Sequence, residues 1–323
     1  MAAPHAAGSA ALLLQSRGKD SASRMRTLLT TTAQPLPVSH TSDDLQTVAQ
    51  QGSGQLNVWD AANIKTLVSP GEILLNDTQY FSSNQFITIE NTSGSSMTYT
   101  LSHTPANTVL SIGPTLGLAN TAPLPTVSST ASVNFRTAKI TIRPRSTDRV
   151  KVTFKAPSGL DPKTYPIYSG FITVTGSNGE VFSIPYQGVA SNMKDMKIID
   201  TSNTTFGINL PVIIDKNMVP HTEDKNWTLT GTDFPFLLYR LAAGTPSFIV
   251  DLVDKETNVK SAVHTKRALL DWLFGNWFGF DTWWRKKSTF AKVPVIGTLN
   301  TRPYTYRHEA TGVSGAMLPA SVI

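Results

Sequence analysis

From residue 70 to residue 189 the dominant period of the apolar side chains is two residues. Residues 86–90, 97–101 and 150–154 alternate apolar and polar positions, as strands with one buried face do. Residues 170–174 and 180–184 flank a Gly-Ser-Asn-Gly turn, which predicts a hairpin. Short strands separated by turns over about 100 residues predict a sandwich of two antiparallel sheets.

The N-terminal stretch has a different pattern, because small residues occupy every side of it. Residues 2–11 are rich in alanine, carry a proline near the start and lead into three leucines. They predict a helix that packs closely on all sides, like the central helix of a domain. A second helix is predicted from a capping Ser21 to about Leu29, where three threonines stop it. A glycine turn at 52–54 then predicts the start of a short third helix.

The pattern weakens after residue 191. Residues 236–241 and 248–253 predict strands of another sheet. Four of the six tryptophans fall between Trp272 and Trp284. Three interpretations of this stretch stay open: core, an artefact of the gene structure, or a platform for sugars or membranes. Its tryptophan spacing fits neither a helix nor a strand, so we expect no sugar or membrane binding through it.

Composition narrows the function classes. Charged residues make up 15% of the chain, so serine, threonine, asparagine and glycine supply much of the polar surface, as in extracellular β-rich proteins. The formal charge of +6 comes from scattered basic residues, the tightest group being residues 285–287, and we expect no nucleic-acid partner. The absence of cysteine excludes disulfides and thiol catalysis. No apolar run reaches the ~20 residues of a membrane-spanning helix, and the dispersed histidines predict neither a metal site nor a cofactor.

The first residues of the chain resemble the end of a known sequence motif. Met1, Ala2, Ala3, Pro4 and His5 follow one another as they do at the end of the Gly-Thr-Ser-Met-Ala-x-Pro motif of subtilases. Further along, Gly-Ser-Gly-Gln-Leu-Asn-Val-Trp-Asp-Ala at residues 52–61 resembles the element that closes subtilase catalytic domains.

Three later segments, residues 68–77, 162–172 and 185–189, resemble the fibronectin type III-like domain of large secreted subtilases, especially those of filamentous fungi. The resemblance implies a mainly β fold in three parts. A helical remnant of an α/β catalytic domain would occupy residues 1–66, and a fibronectin type III-like β-sandwich residues 67–190. An incomplete second β-rich region would form residues 191–323. It also implies secretion to the extracellular space or cell wall.

The resemblance further implies which chemistry is missing. In subtilases the motif serine is the nucleophile, and the Asp and His of the triad come earlier in the chain. The nucleophile would therefore immediately precede Met1, and Met1, Ala2, Ala3 and Pro4 would be the remnant of its motif. We expect an intact enzyme of this family to hydrolyse proteins or peptides, and this chain alone to be inactive. The alternative is a non-catalytic extracellular β-sandwich that serves as a binding module.

Four Asn-x-Ser/Thr sequons are candidates for N-glycosylation. Their asparagines are Asn76, Asn91, Asn203 and Asn226. Asn91 precedes the turn between two predicted strands, so we expect it to be the best placed for a glycan.

Overall fold

The computed structural model describes residues 2–114, 119–228, 230–254, 295–305 and 314–317. The chain divides into two compact units, Met1–Met196 and Lys197–Ile323. The predicted boundaries at residues 66/67 and 190/191 stay predictions. The stretch from Trp272 to Trp284 lies outside the described residues.

Four helices open the chain: α1 (Ala2–Arg17), α2 (Ala22–Thr31), α3 (Val48–Gln51) and α4 (Val58–Asn63). Helix α2 begins as predicted, since the Ser21 hydroxyl accepts the N–H of Arg24 at 3.2 Å. It ends at Thr31, two residues later than predicted. The Thr31 hydroxyl donates to the carbonyl of Thr27 at 2.9 Å, which ties the threonine into the helix instead of stopping it. We call residues 2–64 the helical segment.

Ten strands follow in the first unit: β1 (Thr66–Ser69), β2 (Ile73–Leu74), β3 (Asn84–Asn91), β4 (Met97–Leu110), β5 (Thr126–Val127), β6 (Ser132–Phe135), β7 (Lys139–Ile142), β8 (Ser146–Lys155), β9 (Pro166–Gly176) and β10 (Val181–Val189). They form two sheets. The β8 sheet has the order β1-β3-β8-β6, and the β9 sheet has the order β2-β10-β9-β4-β5, with β7 paired to one end of β4. The predicted sandwich is confirmed, and so is the mainly β character of the fold.

The hydrophobic core lies between the two sheets. Ile87 and Ile89 of β3 point into it, and they are joined from the other sheet by Ile172 and Ile184. The predicted hairpin joins β9 to β10, and its turn closes through a hydrogen bond from Gly179 N–H to the Gly176 carbonyl at 3.0 Å. Period-two patterning therefore located both the strands and their inward faces.

Strands β9 and β10 are buried on both faces over their central residues. Phe171 and Ser169 point away from the inter-sheet core but are as inaccessible to solvent as Ile172, which points into it. Pro185 of β10, which pairs with Phe171, is buried as well. A second layer therefore covers the outer face of the β9 sheet at these residues.

Two glycines let tyrosine rings cross the backbone inside the sandwich. A Cβ atom added at Gly170 would lie 2.6 Å from the Tyr186 hydroxyl and 2.8 Å from the Thr104 carbonyl oxygen. One added at Gly188 would lie 2.3 Å from the Tyr168 hydroxyl. Neither position has room for a side chain, so glycine is required there by close approach.

The second unit is also built of strands: β11 (Val212–Ile214), β12 (Pro220–His221), β13 (Phe236–Tyr239), β14 (Thr245–Val253), β15 (Val295–Thr305) and β16 (Ser314–Met317). Both predicted strands are present as β13 and β14, but they belong to two sheets rather than one. The sheet order β12-β11-β13-β16 contains β13, whereas β14 pairs with β15. A buried ion pair joins Arg240 to Asp200, with Nη1 and Oδ2 2.9 Å apart.

Candidate functional site

Helix α1 exposes small and apolar side chains around most of its circumference. Ala3 and Pro4, in its first turn, are exposed, as is Leu12, whereas Leu13 is fully buried. Ser9 is buried, and its hydroxyl donates to the His5 carbonyl at 2.8 Å. Met1 lies outside the described residues. A helix that is apolar on nearly every side is typical of an element meant to be covered by further structure.

A depression of about 580 Å³ lies beside this helix. Its walls come from α1, α2 and the turn before α4, and include Ala10, Leu14, Met25 and Leu29. Asp20 and Arg26 supply its charged rim. The depression and the exposed side of α1 together form an apolar surface on the helical segment.

The helical segment is held to the outer face of the β9 sheet by a buried polar contact. The Ser169 hydroxyl of β9 accepts the N–H of Val48 at 3.1 Å, and it lies 3.1 Å from the Thr47 hydroxyl, with which it shares a hydrogen bond. Both hydroxyl-bearing residues are buried. Leu45 extends the contact by bridging to Ala106 of β4. These residues are the second layer that covers the outer face of β9.

An ion pair completes the attachment to the sandwich, and a guanidinium joins the ends of α1 and α4 within the helical segment. Arg26 of α2 lies 2.9 Å from Glu72, which directly precedes β2. Arg17, at the end of α1, donates from Nη1 to the carbonyls of Ala61, Ala62 and Ile64 at 3.0–3.3 Å. Those carbonyls lie at the end of α4, where a helix leaves its acceptors unpaired and a cation is favoured. Sequence reasoning missed Arg17, although a basic residue in the last turn of α1 is a visible signal.

The described residues do not assemble a Ser-His-Asp triad. His221 Nε2 lies 3.4 Å from Asp215 Oδ2, which is one of the two contacts that a triad needs. However, the same nitrogen faces Lys225 Nζ at 3.3 Å, and no serine hydroxyl is bonded to it within the described ranges. Hydrogen bonds from the backbone, that of Val219 foremost, lower the pKa of Asp215.

His103 of β4 serves the core of the sandwich. Its Nε2 lies 2.8 Å from the Tyr186 hydroxyl, and burial lowers the pKa of the imidazole. Burial also raises the pKa of Tyr186 and brings the pKa of Tyr168 to about 12. Both shifts follow from the cost of placing a charge among apolar side chains.

Asn91 is not open for a glycan, contrary to the expectation from its place before a turn. Its side chain is 0% exposed, and Nδ2 donates to the carbonyls of Ser95, Ile142 and Arg143 at 2.8–3.2 Å. Asn91 continues the inward row of Ile87 and Ile89, so the period of two could have revealed its burial. An attached sugar would occupy the same nitrogen that makes these three bonds.

The other three sequon asparagines are exposed. Asn76 lies in a turn with φ of 61°, and its Nδ2 makes one bond, to the Tyr80 carbonyl at 3.2 Å. Asn203 and Asn226 belong to the second unit. In the Asn203 sequon, the hydroxyl of Thr205 accepts from Arg240 Nη1 at 3.0 Å. Glycosylation itself stays a prediction at every sequon.

Neither a metal-binding cluster nor a membrane-spanning helix occurs among the described residues. In the part of the chain that the structure describes, no group of three or more His, Asp or Glu side chains could hold a metal ion. Among the same residues, no helix is long and apolar enough to cross a membrane.

The fold resembles several solved structures only distantly. PapD-like domain 7 of human CEP192 is 11% identical with a TM-score of 0.28, over 48% of this chain and 96% of that one. A FixG-related protein from Vibrio parahaemolyticus is 11% identical with a TM-score of 0.26, over 40% of this chain and all of that one. Likenesses this weak carry no argument here. No curated protein matches the chain.

Two family models match the chain, and each covers a part of it already described. The Fn3-like domain matches residues 73–187, which correspond to the sandwich from β2 to β10. The subtilase family matches residues 1–54, which contain α1, α2, α3 and the contact with Ser169. Residues 1–54 of this chain thus match the subtilase family, and a match to the Fn3-like domain follows at residues 73–187.

Proposed function

We propose that this chain acts as the C-terminal part of a subtilisin-like serine endopeptidase, in which the Fn3-like domain braces the last helices of the catalytic domain. The observation that carries the proposal is the buried contact of Thr47 and Val48 with Ser169. It fixes residues of the subtilase match directly on the central strand of the Fn3-like domain. The exposed apolar side of α1 and the adjoining depression offer the surface that the rest of a catalytic domain would cover.

The chain alone is proposed to hydrolyse no peptide bond. A subtilisin-type mechanism needs a serine activated by a histidine that an aspartate orients, together with an oxyanion hole. The described residues offer a His-Asp contact in the second unit but no serine bonded to the imidazole. The substrates of the intact enzyme would be proteins or peptides, and its place of action the extracellular space or cell wall.

Labelling with a fluorophosphonate tests the inactivity. The purified chain should show no labelling and no casein hydrolysis, whereas an active subtilisin in the same assay labels fully. Stoichiometric labelling of any serine of this chain would contradict the proposal.

The transcript upstream of Met1 tests the family role. A continuous reading frame that encodes Gly-Thr-Ser directly before Met1, with an Asp and a His earlier, is the expected result. A start codon at Met1 with its own promoter would instead favour a separate binding module.

A further inference from the structure

One segment of the chain carries a net positive charge as large as that of the whole chain. The chain holds 28 basic and 22 acidic residues. Residues 132–155 contain seven basic residues and one acidic residue, so the remaining residues hold 21 of each and are neutral together. The sequence alone made the basic residues look scattered, because apolar and polar residues separate them one by one.

The fold gathers these seven cations along one edge of the sandwich. The segment runs from β6 through β7 to β8, and so passes from the β8 sheet to the β9 sheet and back. Six of the seven are exposed and Lys151 is half-buried. None of them takes part in an ion pair with another described residue; they are Arg136, Lys139, Arg143, Arg145, Arg149, Lys151 and Lys155.

A depression lies within this edge, between β8 and residues 136–140, and extends to the outer face of the β8 sheet at Phe86. It has a volume of about 330 Å³, and Arg136, Arg149 and Lys151 contribute the cations that line it. The Arg149 guanidinium lies 4.5 Å from the centroid of the exposed Phe86 ring, which also lines the depression. A guanidinium stacked on a ring is already oriented, so less entropy is lost when it binds a carboxylate.

One acidic residue, Asp148, also lines the depression. Its Oδ1 accepts the N–H of Arg149 at 2.7 Å, so part of its charge is engaged by the backbone. Three cations against one carboxylate leave the depression with a net positive charge. A dianionic or polyanionic partner would complement it.

The spacing of the cations indicates the form of that partner. Arg149 and Lys151 occupy successive outward positions of β8, which are about 6.8 Å apart in an antiparallel strand. Arg136, directly after β6, lies beside Lys151, since its N–H donates to the Lys151 carbonyl at 3.0 Å. An extended peptide with acidic residues at alternate positions repeats its carboxylates at the same interval.

We propose that the outer face of the β8 sheet, centred on Arg136, Arg149 and Lys151, binds an acidic protein segment in extended conformation. Carboxylates at alternate positions of that segment face the three cations, and an apolar side chain can rest on the Phe86 ring. This site is separate from the contact at Ser169, so it does not depend on the proposed protease role.

Fluorescence anisotropy with a labelled, alternating Glu-Thr peptide long enough to span β8 tests the site. The full chain should bind it, and added salt should weaken the binding because the charges are exposed. The double variant Arg149→Gln/Lys151→Gln should bind about tenfold more weakly. Arg136→Gln should weaken binding too, and it leaves both strand residues in place.

Two controls make the result specific. Lys163→Gln/Lys194→Gln removes the same charge from exposed residues outside the segment, and should leave the affinity within about twofold. A peptide of the same composition with paired glutamates, which divides its carboxylates between two faces of a strand, should bind more weakly. Equal losses in both double variants, or equal affinity for both peptides, would overturn the proposal. Tighter binding of polygalacturonate or an oligonucleotide than of the alternating peptide would also overturn it.

Discussion

Strands β8 and β9 have nearly the same length and lie in facing sheets, yet their outer sides differ. Outward residues of β8, such as Thr153, are exposed, and the strand alternates between buried and exposed positions. The central residues of β9 are buried on both sides, and at Ser169 the helical segment forms the cover. The outer face of the β9 sheet is therefore covered at the centre of β9, while that of the β8 sheet still meets solvent. The sandwich and the residues that match the subtilase family therefore form one packed structure, rather than two modules joined by a linker.

We expect the largest loss of stability when a methyl group is added inside β9, the strand that is buried on both faces. Gly170→Ala would put Cβ 2.6 Å from the Tyr186 hydroxyl and 2.8 Å from a backbone carbonyl. Since the backbone of β4 cannot yield easily, we expect a loss of about 3 kcal/mol of unfolding free energy. Urea denaturation measures it. Gly94→Ala, where no atom lies within 4 Å of the new Cβ, is the matched control and should change little.

Alkaline pH should weaken the sandwich through its buried tyrosines. The pKa of Tyr168 is raised to about 12 by burial, against 10.0 for the free side chain. The folded state therefore keeps a proton that the unfolded state loses. The contribution of Tyr168 to the free energy of unfolding is complete below pH 10 and disappears as pH rises from 10 to about 12. The free energy of unfolding then falls by up to about 3 kcal/mol.

Urea unfolding across that range measures this effect. Tyr168→Phe should reduce the alkaline loss, with Tyr186 supplying the rest, while Tyr80→Phe, at an exposed position, should leave it as in the wild type. A wild-type stability that stays constant to pH 12 would contradict the buried, protonated tyrosine.

Removing the hydroxyl beneath the helical segment should loosen the cover of β9. Ser169→Ala leaves Val48 N–H and the Thr47 hydroxyl without their partner, at a cost of about 1–2 kcal/mol. Hydrogen exchange at the Val48 amide should accelerate more than exchange in the core of the sandwich. Thr153→Ala, on the open sheet, should cost less than about 0.5 kcal/mol. Equal losses of unfolding free energy in the two variants would contradict the difference between the covered outer face of β9 and the exposed outer face of β8.

The sequon asparagines differ in exposure, and glycosylation should follow that difference with little change in stability. Secretion from a eukaryotic host should attach a glycan at exposed Asn76 but leave Asn91 unmodified, because its Nδ2 is used in three internal bonds. Release of the glycans by an amidase in heavy-oxygen water converts each glycosylated asparagine to a labelled aspartate. Mass spectrometry of the peptides then measures the occupancy of each sequon. Asn76→Gln should remove the modification with little change in stability. An occupied Asn91 in folded, secreted protein would show that its inward position is wrong.

Much of the sandwich could be predicted from the sequence, because local patterns determine it. The alternation in residues 150–154 gave β8 and its inward face, and the Gly-Ser-Asn-Gly turn gave the β9–β10 hairpin. The cover over Ser169 could not be predicted, since Thr47 lies 122 residues away and no local pattern links the two. The same holds for Arg17, which reaches carbonyls 44 to 47 residues along the chain.

Among the site residues, the sequence predicts a contiguous motif better than it predicts positions that depend on the folded structure. The resemblance to subtilases was recognisable because its motif is contiguous, and the family model matches residues 1–54. Asn91 lies before a turn, but the period of two that it shares with Ile89 places its side chain inward. The cations of residues 132–155 were overlooked because alternation hides a charged face in a linear sequence.

The location of that charge has a consequence for how the molecule meets a charged boundary. Seven cations and one carboxylate lie in the segment that follows one edge of the sandwich, so an anionic surface attracts that edge before contact is made. Retention on a cation-exchange resin then depends on the local cations rather than on the net charge of +6. Exchanging Arg149 and Lys151 for glutamine should thus advance elution further than exchanging Lys163 and Lys194, although both changes alter the net charge equally.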